Sequence, residues 1–450
     1  MKTQQKKITL VGAGLVGSLL AVYLAKRGYH ITIFEKRSDM CSTAMSAGRS
    51  INLALANRGI KPLEEVGLMS AVAQLIIPMT GRMLHDKQGQ LTFLPYGQRS
   101  HEVIYSVSRG ELNKLLMNAA EAVGHVDLHF QHSIETVDFD RNTMQVKNEV
   151  TGELREHQFD LLIGADGGGS AVRKAVDAYH GQVSVEEKLF HSYKELHIAA
   201  TPQHQFQMQG DALHIWPRGD YMMIALPNPD KSFTVTLFLP DQGPDSFSEM
   251  KTAAQFLPFA HAQFADALPL MPDAGPFFEQ NPTGFLGTVH CPNWTVPGKA
   301  LLIGDAAHAI VPFHGQGMNC GFEDCAELAA LLAQHDDDWA AVMPAYQAAR
   351  QPNSEAIAQM AQENYVEMRA TSADPKFQLK KQIGFLLEQR FSQFIPRYSM
   401  VMFHHLPYAE ALRRGRLNDI ILDALSADID HADALNWERA EQLVQQHLGA

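Results

Sequence analysis

Gly12-Ala13-Gly14-Leu15-Val16-Gly17 stands close to the start of the chain and fits the pattern G-x-G-x-x-G. The residues before it, Lys7 to Val11, have the apolar composition of a short buried strand. The residues after it, Ser18 to Arg27, carry apolar side chains at helical spacing, and a second, alternating strand follows from His30 to Glu35. This order of strand, glycine turn, helix and strand predicts a parallel, doubly wound α/β sheet.

The chemistry of this turn suits a dinucleotide. Its first glycine permits the tight turn, the second lets a pyrophosphate approach the backbone, and the third packs helix against strand. The helix start offers free N–H groups and a partial positive charge to the phosphates. A carboxylate at Glu35 accepts hydrogen bonds from ribose hydroxyls and repels the extra phosphate of NADP, which favours FAD or NAD. A purely structural turn is the competing interpretation. The residues predicted to bind this part of the cofactor are Gly12, Gly14, Val16, Gly17, Glu35, Lys36 and Arg37.

Two later motifs separate FAD from NAD. The stretch Ile163-Gly164-Ala165-Asp166-Gly167-Gly168-Gly169-Ser170, with Val172 and Arg173 behind it, resembles the D-G-x-x-S-x-V-R signature of class A flavin monooxygenases. In Leu302-Ile303-Gly304-Asp305-Ala306-Ala307-His308, a strand delivers Asp305 to the ribityl hydroxyls of FAD. A plain turn between strand and helix is the competing interpretation of Asp166. Three such motifs in this order imply a class A flavin monooxygenase with non-covalent FAD, whereas an NAD-dependent dehydrogenase has no use for the second and third.

A further glycine-rich turn is expected to face the flavin ring. It is Pro312-Phe313-His314-Gly315-Gln316-Gly317-Met318-Asn319, and a helix is predicted to begin just after the glycines. The partial positive charge of that helix start stabilises reduced, anionic flavin. The resemblance adds Ala54, in the segment passing the flavin, and Arg109. The remaining predicted FAD contacts are therefore Ala54, Arg109, Asp166, Asp305, Gly317, Met318 and Asn319.

Composition excludes several other classes of protein. The chain has 450 residues, 46% of them hydrophobic, and a formal net charge of −13, which disfavours nucleic acid as a partner. Its four cysteines are too few for a disulfide framework and match no zinc pattern, so no metal is predicted. The start of the chain has no apolar signal region, no apolar run of membrane-spanning length occurs, and the end from Asp433 to Ala450 is polar. The sequence predicts a soluble, cytoplasmic enzyme.

The predicted organisation is discontinuous. Residues 1–180 form the first part of a Rossmann-like FAD-binding domain, including substrate-contacting segments near 82–96. Residues 181–285 form an inserted, mostly antiparallel β substrate domain, in which Tyr221 to Leu226 and Phe233 to Leu239 make a hairpin around a Pro-Asn-Pro-Asp turn. The FAD-binding domain resumes over 286–345. Residues 346–450 are predicted to be a helical domain that caps the active site.

A narrower resemblance, to the kynurenine 3-monooxygenase family, covers residues 8 to 403. The segments that carry it are Gly48 to Leu55, Gly81 to Met83, Pro95 to Gly97, Ser106 to Arg109, Tyr193 to Leu196, Leu213 to Arg218, Met222 to Asn228, Ser232 to Thr234, Asn364 to Arg369 and Phe394 to Tyr398. The C-terminal segments are more specific than the FAD motifs, which all class A enzymes share. The resemblance implies L-kynurenine as substrate and NADPH and O2 as co-substrates.

The same resemblance implies a substrate site. In that family an arginine, two tyrosines and an asparagine hold the amino-acid carboxylate, and these fall here on Arg82, Tyr96, Tyr398 and Asn364. Arginine offers paired planar donors to a carboxylate and tyrosine adds neutral ones. An ordinary surface ion pair is the competing interpretation of Arg82. The predicted wall around the aromatic ring comprises Met222, Ile224, Leu226, Thr236 and Phe238, with an ordinary packed sheet face as its competing interpretation. Further predicted substrate contacts are Leu213, Phe313 and Met368. His314 is the candidate catalytic residue.

The implied reaction hydroxylates L-kynurenine to 3-hydroxy-L-kynurenine through a flavin C4a-hydroperoxide. The amino group of the substrate donates electron density to its own ring, so the enzyme needs no strong base. The protein is expected to orient the substrate, exclude water and tune the flavin. Two alternatives remain open: a hydroxylase of another aromatic acid with the same flavin chemistry, and a non-catalytic binding protein built on the FAD fold.

Overall fold

The computed structural model of the protein describes residues 7–40, 52–371 and 374–449, so Gly48 to Ile51 of the quoted segments lie outside the described residues. In those ranges the strands, numbered in chain order, are β1 Lys7–Val11, β2 His30–Glu35, β3 Asn52–Leu55, β4 Ile76–Met79, β5 Gly81–His85, β6 Leu91–Pro95, β7 Ile104–Ser108, β8 Val126–Phe130, β9 His132–Asp138, β10 Thr143–Asn148, β11 Leu154–Gln158, β12 Leu161–Gly164, β13 Val185–Ile198, β14 Ala212–Pro217, β15 Met222–Pro227, β16 Phe233–Pro240, β17 Gly284–His290, β18 Thr295–Val296 and β19 Ala300–Leu302.

The α-helices are numbered in the same way. They are α1 Leu15–Lys26, α2 Asn57–Glu65, α3 Met69–Val72, α4 Arg109–Val123, α5 Ala171–His180, α6 Ala253–Gln263, α7 Ala274–Gln280, α8 Asp305–His308, α9 Gly317–Gln334, α10 Trp339–Val366, α11 Pro375–Arg390, α12 Arg397–Met402, α13 Tyr408–Ser426 and α14 Trp437–Leu448. A π-helical turn, Glu367–Thr371, follows α10 directly. Short 3₁₀ turns lie at Leu268–Leu270, Pro312–His314 and Ala432–Ala434.

The chain divides into two compact units, of which the first comprises residues 1–76, 107–189 and 286–355. Its six-stranded sheet has the order β18-β19-β12-β1-β2-β8. All neighbours pair in parallel except the short edge strand β18. The central strands are apolar on both faces, with Leu10, Ile33 and Ile163 fully buried, as a parallel sheet covered by helices requires. A three-stranded antiparallel sheet, β11-β10-β9, belongs to the same unit.

The second unit comprises residues 77–106, 190–285 and 356–450. Its main sheet has the order β17-β13-β16-β15-β14-β5-β6. Strands β13, β16, β15 and β14 pair antiparallel in turn, as do β5 and β6, whereas β14 pairs with β5 in parallel. Alternate residues divide between its two faces. One face, with Trp216, Met223 and Leu237, packs against the rings of Phe256 on α6 and Phe278 on α7, whose centroids lie 4.2 Å apart. The hydrophobic core of this sheet therefore lies on the α6–α7 side.

These units differ from the predicted domains in two respects. Residues 82–96 are predicted to belong to the first part of the FAD-binding domain. However, β5 pairs in parallel with β14, with Arg82 opposite Leu213, so these residues group with the antiparallel sheet. A separate helical domain is predicted from residue 346, whereas residues 356–450 group with that sheet. The amide of Gly219 donates to the carbonyl oxygen of Arg369 at 2.9 Å, which ties the turn after α10 to the sheet.

The predicted fold class is confirmed, with a parallel sheet, an inserted and mostly antiparallel sheet and a helical C-terminal region. The glycine turn joins β1 to α1 as predicted, and the hairpin is β15 and β16. Over the described ranges, no helix combines the length and the apolar composition needed to cross a membrane.

A chain of polar side chains is buried on the core face of β5 and β14. His85 Nδ1 lies 2.7 Å from Asp266 Oδ2, and His85 Nε2 lies 2.8 Å from His214 Nδ1. His214 Nε2 lies 2.8 Å from the carbonyl oxygen of Gln209, which can only accept, so this nitrogen carries a proton. Trp216 Nε1 donates to Asp266 at 2.9 Å. The contact between His85 and His214 therefore links the parallel strands β5 and β14 on the core face of the sheet.

Protonation of His214 is expected to destabilise the protein in acid. Burial lowers the pKa of His214 from 6.5 to about 4, so the unfolded chain binds this proton first as the pH falls. Stability present above pH 6.5 is lost between that pH and about 4, and the contribution of this group is on the order of 3 kcal/mol. Urea titrations across this range should show a correspondingly weaker pH dependence in His214→Gln. A substitution of the exposed His431 serves as control, and parallel curves for His214→Gln and wild type would contradict the prediction.

Candidate functional site

The glycine turn after β1 forms an open backbone cradle. Gly12 has φ +98°, and a Cβ there would lie 2.5 Å from the carbonyl oxygen of Ala165. A Cβ at Gly17 would lie 2.0 Å from the carbonyl oxygen of Gly12, so both positions exclude side chains for steric reasons within the protein. A Cβ at Gly14, by contrast, would meet no protein atom within 4 Å. Helix α1 begins beside it without a side-chain cap and without an acidic residue in its first turn, which leaves backbone N–H groups for an anion.

Glu35 closes β2 next to this cradle. Its Oε2 accepts from the amide of Ala13 at 2.8 Å, and its Oε1 accepts from the amide of Arg37 at 2.9 Å. The guanidinium of Arg37 also donates to it, from Nε at 2.8 Å. Burial raises the pKa of Glu35, but the hydrogen bonds and charge of Arg37 outweigh this effect and lower it overall. Glu35 is therefore an ionised acceptor held at the end of the strand.

Asp166 is engaged by its own helix. Its carboxylate accepts from Ser170 Oγ at 2.5 Å and from the amide of Ala171 at 2.7 Å, which caps the start of α5. Burial raises the pKa of Asp166. Arg173, on the same helix, donates to the carbonyl oxygens of Gly168 and Ala306, at 2.5 and 3.0 Å. Arg173 thus joins the second glycine turn to the segment that carries Asp305, a role the sequence analysis does not assign to it.

Asp305 begins α8 directly after β19. It is half-buried, and its carboxylate makes no hydrogen bond or ion pair with any part of the chain that the structure describes. One of its oxygens lies 4.0 Å from the place a Cβ would take on Gly317, at the start of α9. A half-buried carboxylate without a protein partner retains its full capacity to accept from ligand hydroxyls. Together with the open cradle at Gly14, this fits the pyrophosphate and the ribityl chain of FAD.

Asn319 holds the turn predicted to face the flavin. Its side chain is fully buried, and its Oδ1 accepts from the amide of Ala56 at 2.9 Å. Its Nδ2 donates to the carbonyl oxygens of Ala54 and Gly315, both at 2.8 Å. Gly315 has φ +65°, a left-handed conformation that suits glycine. Asn319 therefore fixes Ala54 beside the glycine turn, while α9 begins at Gly317 without a side-chain cap.

The other residues of the first unit that are predicted to bind a ligand differ in how exposed they are. Val16 packs against α9, because a Cβ on Gly321 would lie 2.5 Å from its Cγ2. Lys36 and Arg109 are exposed. Three more are buried, namely Phe313, His314 and Met318. The catalytic role of His314 and the ligand contacts of these residues stay predictions.

A buried ionic network includes His308, the last residue of the short helix α8 that Asp305 begins. His308 Nε2 lies 2.6 Å from Asp324 Oδ2, and Arg350 Nε donates to Asp324 Oδ1 at 2.6 Å. Burial raises the pKa of Asp324, but His308 and Arg350 outweigh it and lower this pKa to about 2. His308, Asp324 and Cys320 lie close enough to hold a metal ion, yet Arg350 already donates to the Cys320 sulfur at 3.4 Å. Burial also raises the pKa of the Cys320 thiol, so the arginine, rather than a metal, balances this cluster.

The Asp324→Asn variant is expected to unfold more easily. It replaces the fully buried carboxylate that accepts from Arg350 Nε with a neutral amide and leaves only the partly buried Glu323 to balance that guanidinium, a change that costs about 3 kcal/mol. The measurement is the free energy of unfolding in urea at neutral pH. Glu327→Gln, on the same helix α9 but only partly buried, is the control and should stay close to wild type. Equal stabilities of the two variants would contradict this account of the network.

In the second unit, three predicted substrate residues form one buried cluster. Arg82 on β5 has its guanidinium carbon 5.1 Å from the ring centroid of Tyr398 and 5.9 Å from that of Tyr96. The two tyrosine rings stack, with centroids 5.4 Å apart and an interplanar angle of 8°. Arg82 Nη1 also donates to Glu367 Oε1 at 3.0 Å, and the arginine is only 6% exposed. This is a buried arginine beside a stacked pair of aromatic rings, not a surface ion pair.

Asn364 and Met368 lie on the helical turn that carries Glu367. Asn364 Nδ2 lies 3.4 Å from Met368 Sδ, and both side chains are buried. Because residues three and four apart share a helix face, Asn364 stands next to the acid that binds Arg82. The fourth predicted carboxylate ligand thus belongs to the same region of the unit.

The predicted apolar wall lies on one sheet face. Met222 pairs with Phe238, Ile224 pairs with Thr236, and Ile224 also pairs with Ile215 of β14. Alternation places two further predicted residues, Leu213 and Leu226, on this same face. Leu213 in turn pairs with Arg82. The face is opposite the one that packs on α6 and α7, so it is not the hydrophobic core of that sheet.

Two buried hydroxyl groups near these residues have no hydrogen-bond partner among the residues that the structure describes. The Thr236 hydroxyl is buried and makes no hydrogen bond within the described ranges. The Tyr96 hydroxyl is also buried and meets no acceptor or donor there with hydrogen-bond geometry, although Arg82 and Tyr398 lie near it. Burial raises the pKa of Tyr96 to about 12, so it is a neutral donor. Buried polar groups normally have partners, and a polar ligand would supply them.

The chain matches a family model and is similar to named proteins. A family model described as an FAD binding domain matches residues 5–361. A kynurenine 3-monooxygenase of Myxococcus xanthus is 45% identical over 448 residues, covering 99% of this chain and 96% of the relative. One from Legionella pneumophila is 40% identical over 441 residues, covering 98% and 97%. The similarity extends over nearly the full length of both chains.

Solved structures with the same fold are more distant in sequence. The tetrameric form of 2-methyl-3-hydroxypyridine-5-carboxylic acid oxygenase has a TM-score of 0.66 at 19% identity, covering 92% of this chain and 98% of that one. The tetracycline destructase Tet(51) has a TM-score of 0.61 at 18% identity, covering 89% and 98%. At this level of identity the likeness concerns the fold alone.

Proposed function

The chain belongs to the kynurenine 3-monooxygenase family of FAD-dependent aromatic monooxygenases, and on that premise we propose that it converts L-kynurenine to 3-hydroxy-L-kynurenine with NADPH and O2. When bound, FAD would pass electrons from NADPH to O2, one atom of which enters the ring while the other leaves as water. The observation that carries the proposal is the buried Arg82 beside the stacked rings of Tyr96 and Tyr398. A buried arginine next to a tyrosine hydroxyl that lacks a hydrogen-bond partner in the described residues can bind the carboxylate of an amino acid.

Residues of the first unit would hold the cofactor. The backbone around Gly14 and the start of α1 bind the pyrophosphate, and Glu35 accepts from the adenosine ribose. Asp305 accepts from the ribityl hydroxyls. The uncapped start of α9 directs its N–H groups and partial positive charge toward the flavin, and Asn319 keeps the preceding turn in place.

Residues of the second unit would orient the substrate. Arg82 pairs with the carboxylate in a bidentate manner, and Tyr96, Tyr398 and Asn364 add neutral hydrogen bonds. The apolar face around Ile224 contacts the aromatic ring and excludes water. No residue needs to deprotonate the substrate before the oxygen atom is transferred, because its aromatic amino group already donates electron density to the ring carbon that is attacked.

The test is NADPH oxidation by the FAD-loaded protein with and without L-kynurenine, with the product identified by mass spectrometry. The proposal requires substrate-stimulated oxidation and a product one oxygen atom heavier. Anthranilate and L-tryptophan serve as comparison substrates. Efficient hydroxylation of one of these in place of L-kynurenine would shift the assignment to another aromatic acid, and a protein unable to take up FAD would refute it.

A further inference from the structure

An acidic side chain faces the guanidinium of Arg82. Glu367 begins the π-helical turn that follows α10, and its Oε1 accepts from Arg82 Nη1 at 3.0 Å. The side chain of Arg82 is 8% exposed and that of Glu367 is 26% exposed, so the pair is largely removed from water. Glu367 is not among the residues predicted to bind the substrate. The cluster around Arg82 therefore presents one positive and one negative charge side by side.

The turn that carries Glu367 is attached to the main sheet of the same unit. The amide of Gly219, in the turn between β14 and β15, donates to the carbonyl oxygen of Arg369 at 2.9 Å. The guanidinium of Arg369 in turn donates to the carbonyl oxygen of Asp220 at 3.4 Å. A π-helical turn is a local departure from the α-helix and occurs frequently at functional sites. These contacts, in addition to the ion pair with Arg82, help to hold the carboxylate of Glu367 at this position.

An α-amino acid has the complementary arrangement of charges. Its ammonium and carboxylate groups share one carbon atom, so the nitrogen lies about 2.5 Å from the carboxyl carbon. A ligand carboxylate on Arg82 thus brings its own ammonium close to Glu367, whose Oε1 lies 3.0 Å from the same guanidinium. A carboxylate accepts from several donors, so Glu367 can bind the ammonium while it still accepts from Arg82. The two side chains match an amino-acid zwitterion in sign and in spacing, and no net charge is buried.

The same pair of charges disfavours ligands that carry only one charge. A carboxylic acid without an ammonium would place its negative charge next to that of Glu367, and such like-charge contacts oppose binding. An amine without a carboxylate would likewise bring its positive charge next to Arg82. The ion pair therefore favours ligands that carry both charges on neighbouring atoms.

We infer that Glu367 accepts the α-ammonium of the substrate, and so selects α-amino acids over aromatic acids that carry a carboxylate alone. The inference rests on the proposed function, since it places the substrate carboxylate at Arg82. Glu367 is a specificity-determining residue in this account. Its removal should therefore weaken only the binding of ligands that carry an ammonium group.

The test compares the Kd of L-kynurenine with that of α-deaminokynurenine, in which hydrogen replaces the α-amino group, using the flavin fluorescence of the FAD-loaded protein. Wild type should bind L-kynurenine on the order of tenfold more tightly than this analogue. Glu367→Gln should raise the Kd of L-kynurenine on the order of tenfold, because the ammonium loses an ionised acceptor. The same variant should lower the Kd of the analogue, because a like charge is removed. Glu367→Asp keeps the charge on a shorter side chain and should restore part of the preference for L-kynurenine.

Glu410→Gln is the matched control. It removes an acid from another arginine pair of the same unit, the one that Glu410 forms with Arg413 on α13 at 2.7 Å, and it should keep both wild-type Kd values. Binding of the analogue by Glu367→Gln would show that this variant is folded. If Glu367→Gln failed to fold, the comparison of the two ligands on wild type would still test the inference.

Three outcomes would overturn the inference. They are equal Kd values for the two ligands in wild type, an unchanged Kd of L-kynurenine in Glu367→Gln, and an equal loss of affinity for both ligands in that variant. Failure of the proposed function would look different, because wild type would then not hydroxylate L-kynurenine at all.

Discussion

The Arg82→Met variant is expected to bind L-kynurenine about 100-fold more weakly than wild type, which corresponds to about 3 kcal/mol. The variant removes the paired donors that Arg82 offers to a carboxylate and leaves the acid Glu367 facing the same place. Both changes act on the binding of the carboxylate, so the loss should be much smaller for kynuramine, the analogue of L-kynurenine that lacks this carboxylate. The measurement is the Kd from flavin fluorescence, supported by kcat/KM for hydroxylation.

Two further variants make this prediction specific. Arg82→Lys keeps the charge but loses the planar fork, and should recover only part of the affinity. Arg99→Met removes an arginine of the same unit that is half exposed and pairs with Glu102 and Glu388, so it should leave the Kd within about twofold of wild type. If Arg82→Met and Arg99→Met weaken binding equally, Arg82 does not hold the carboxylate.

The Gly14→Ala variant should fold normally and yet lose FAD. Gly14 has φ −70°, which alanine adopts readily, and an added Cβ would meet no protein atom within 4 Å. The free energy of unfolding without FAD should therefore stay within about 1 kcal/mol of wild type. If the open space at Gly14 receives the pyrophosphate, the new methyl group blocks it, and FAD affinity should fall on the order of 100-fold.

Gly12→Ala provides the contrast. Its Cβ would lie 2.5 Å from the carbonyl oxygen of Ala165, at a φ of +98°, so both stability and FAD affinity should fall. Unfolding in urea measures stability without FAD, and titration of the FAD-free protein with FAD measures the affinity. A Gly14→Ala protein that binds FAD as tightly as wild type would show that the pyrophosphate lies elsewhere.

The features that sequence predicts well here are local. The glycine turn, α1 and β2 follow from side-chain periodicity and from conformations that only glycine adopts, and all three occur where expected. The β15–β16 hairpin follows from alternating residues around a turn-forming tetrapeptide. In each case the residues that determine the structure are neighbours in the chain.

The features that sequence misses depend on residues far apart. Arg82 meets Glu367, 285 positions along the chain, and no periodicity connects them. The parallel pairing of β5 with β14, which moves residues 77–106 into the second unit, joins segments that lie in different predicted domains.

The engagement of Asp166 with its own helix has a similar explanation. The motif shows a carboxylate at the end of a strand, where both a ligand and the following amides are available. In the structure the carboxylate caps α5 and accepts from Ser170. The pattern alone does not distinguish these roles, because a residue that shapes the turn and one that touches the cofactor occupy the same position.

The most direct test of the central claim is single turnover of the FAD-loaded protein with NADPH, L-kynurenine and heavy-isotope O2. The account predicts that the product is 3-hydroxy-L-kynurenine and that its new oxygen atom carries the heavy isotope. NADPH consumption without labelled product, or hydroxylation at another ring position, would contradict it.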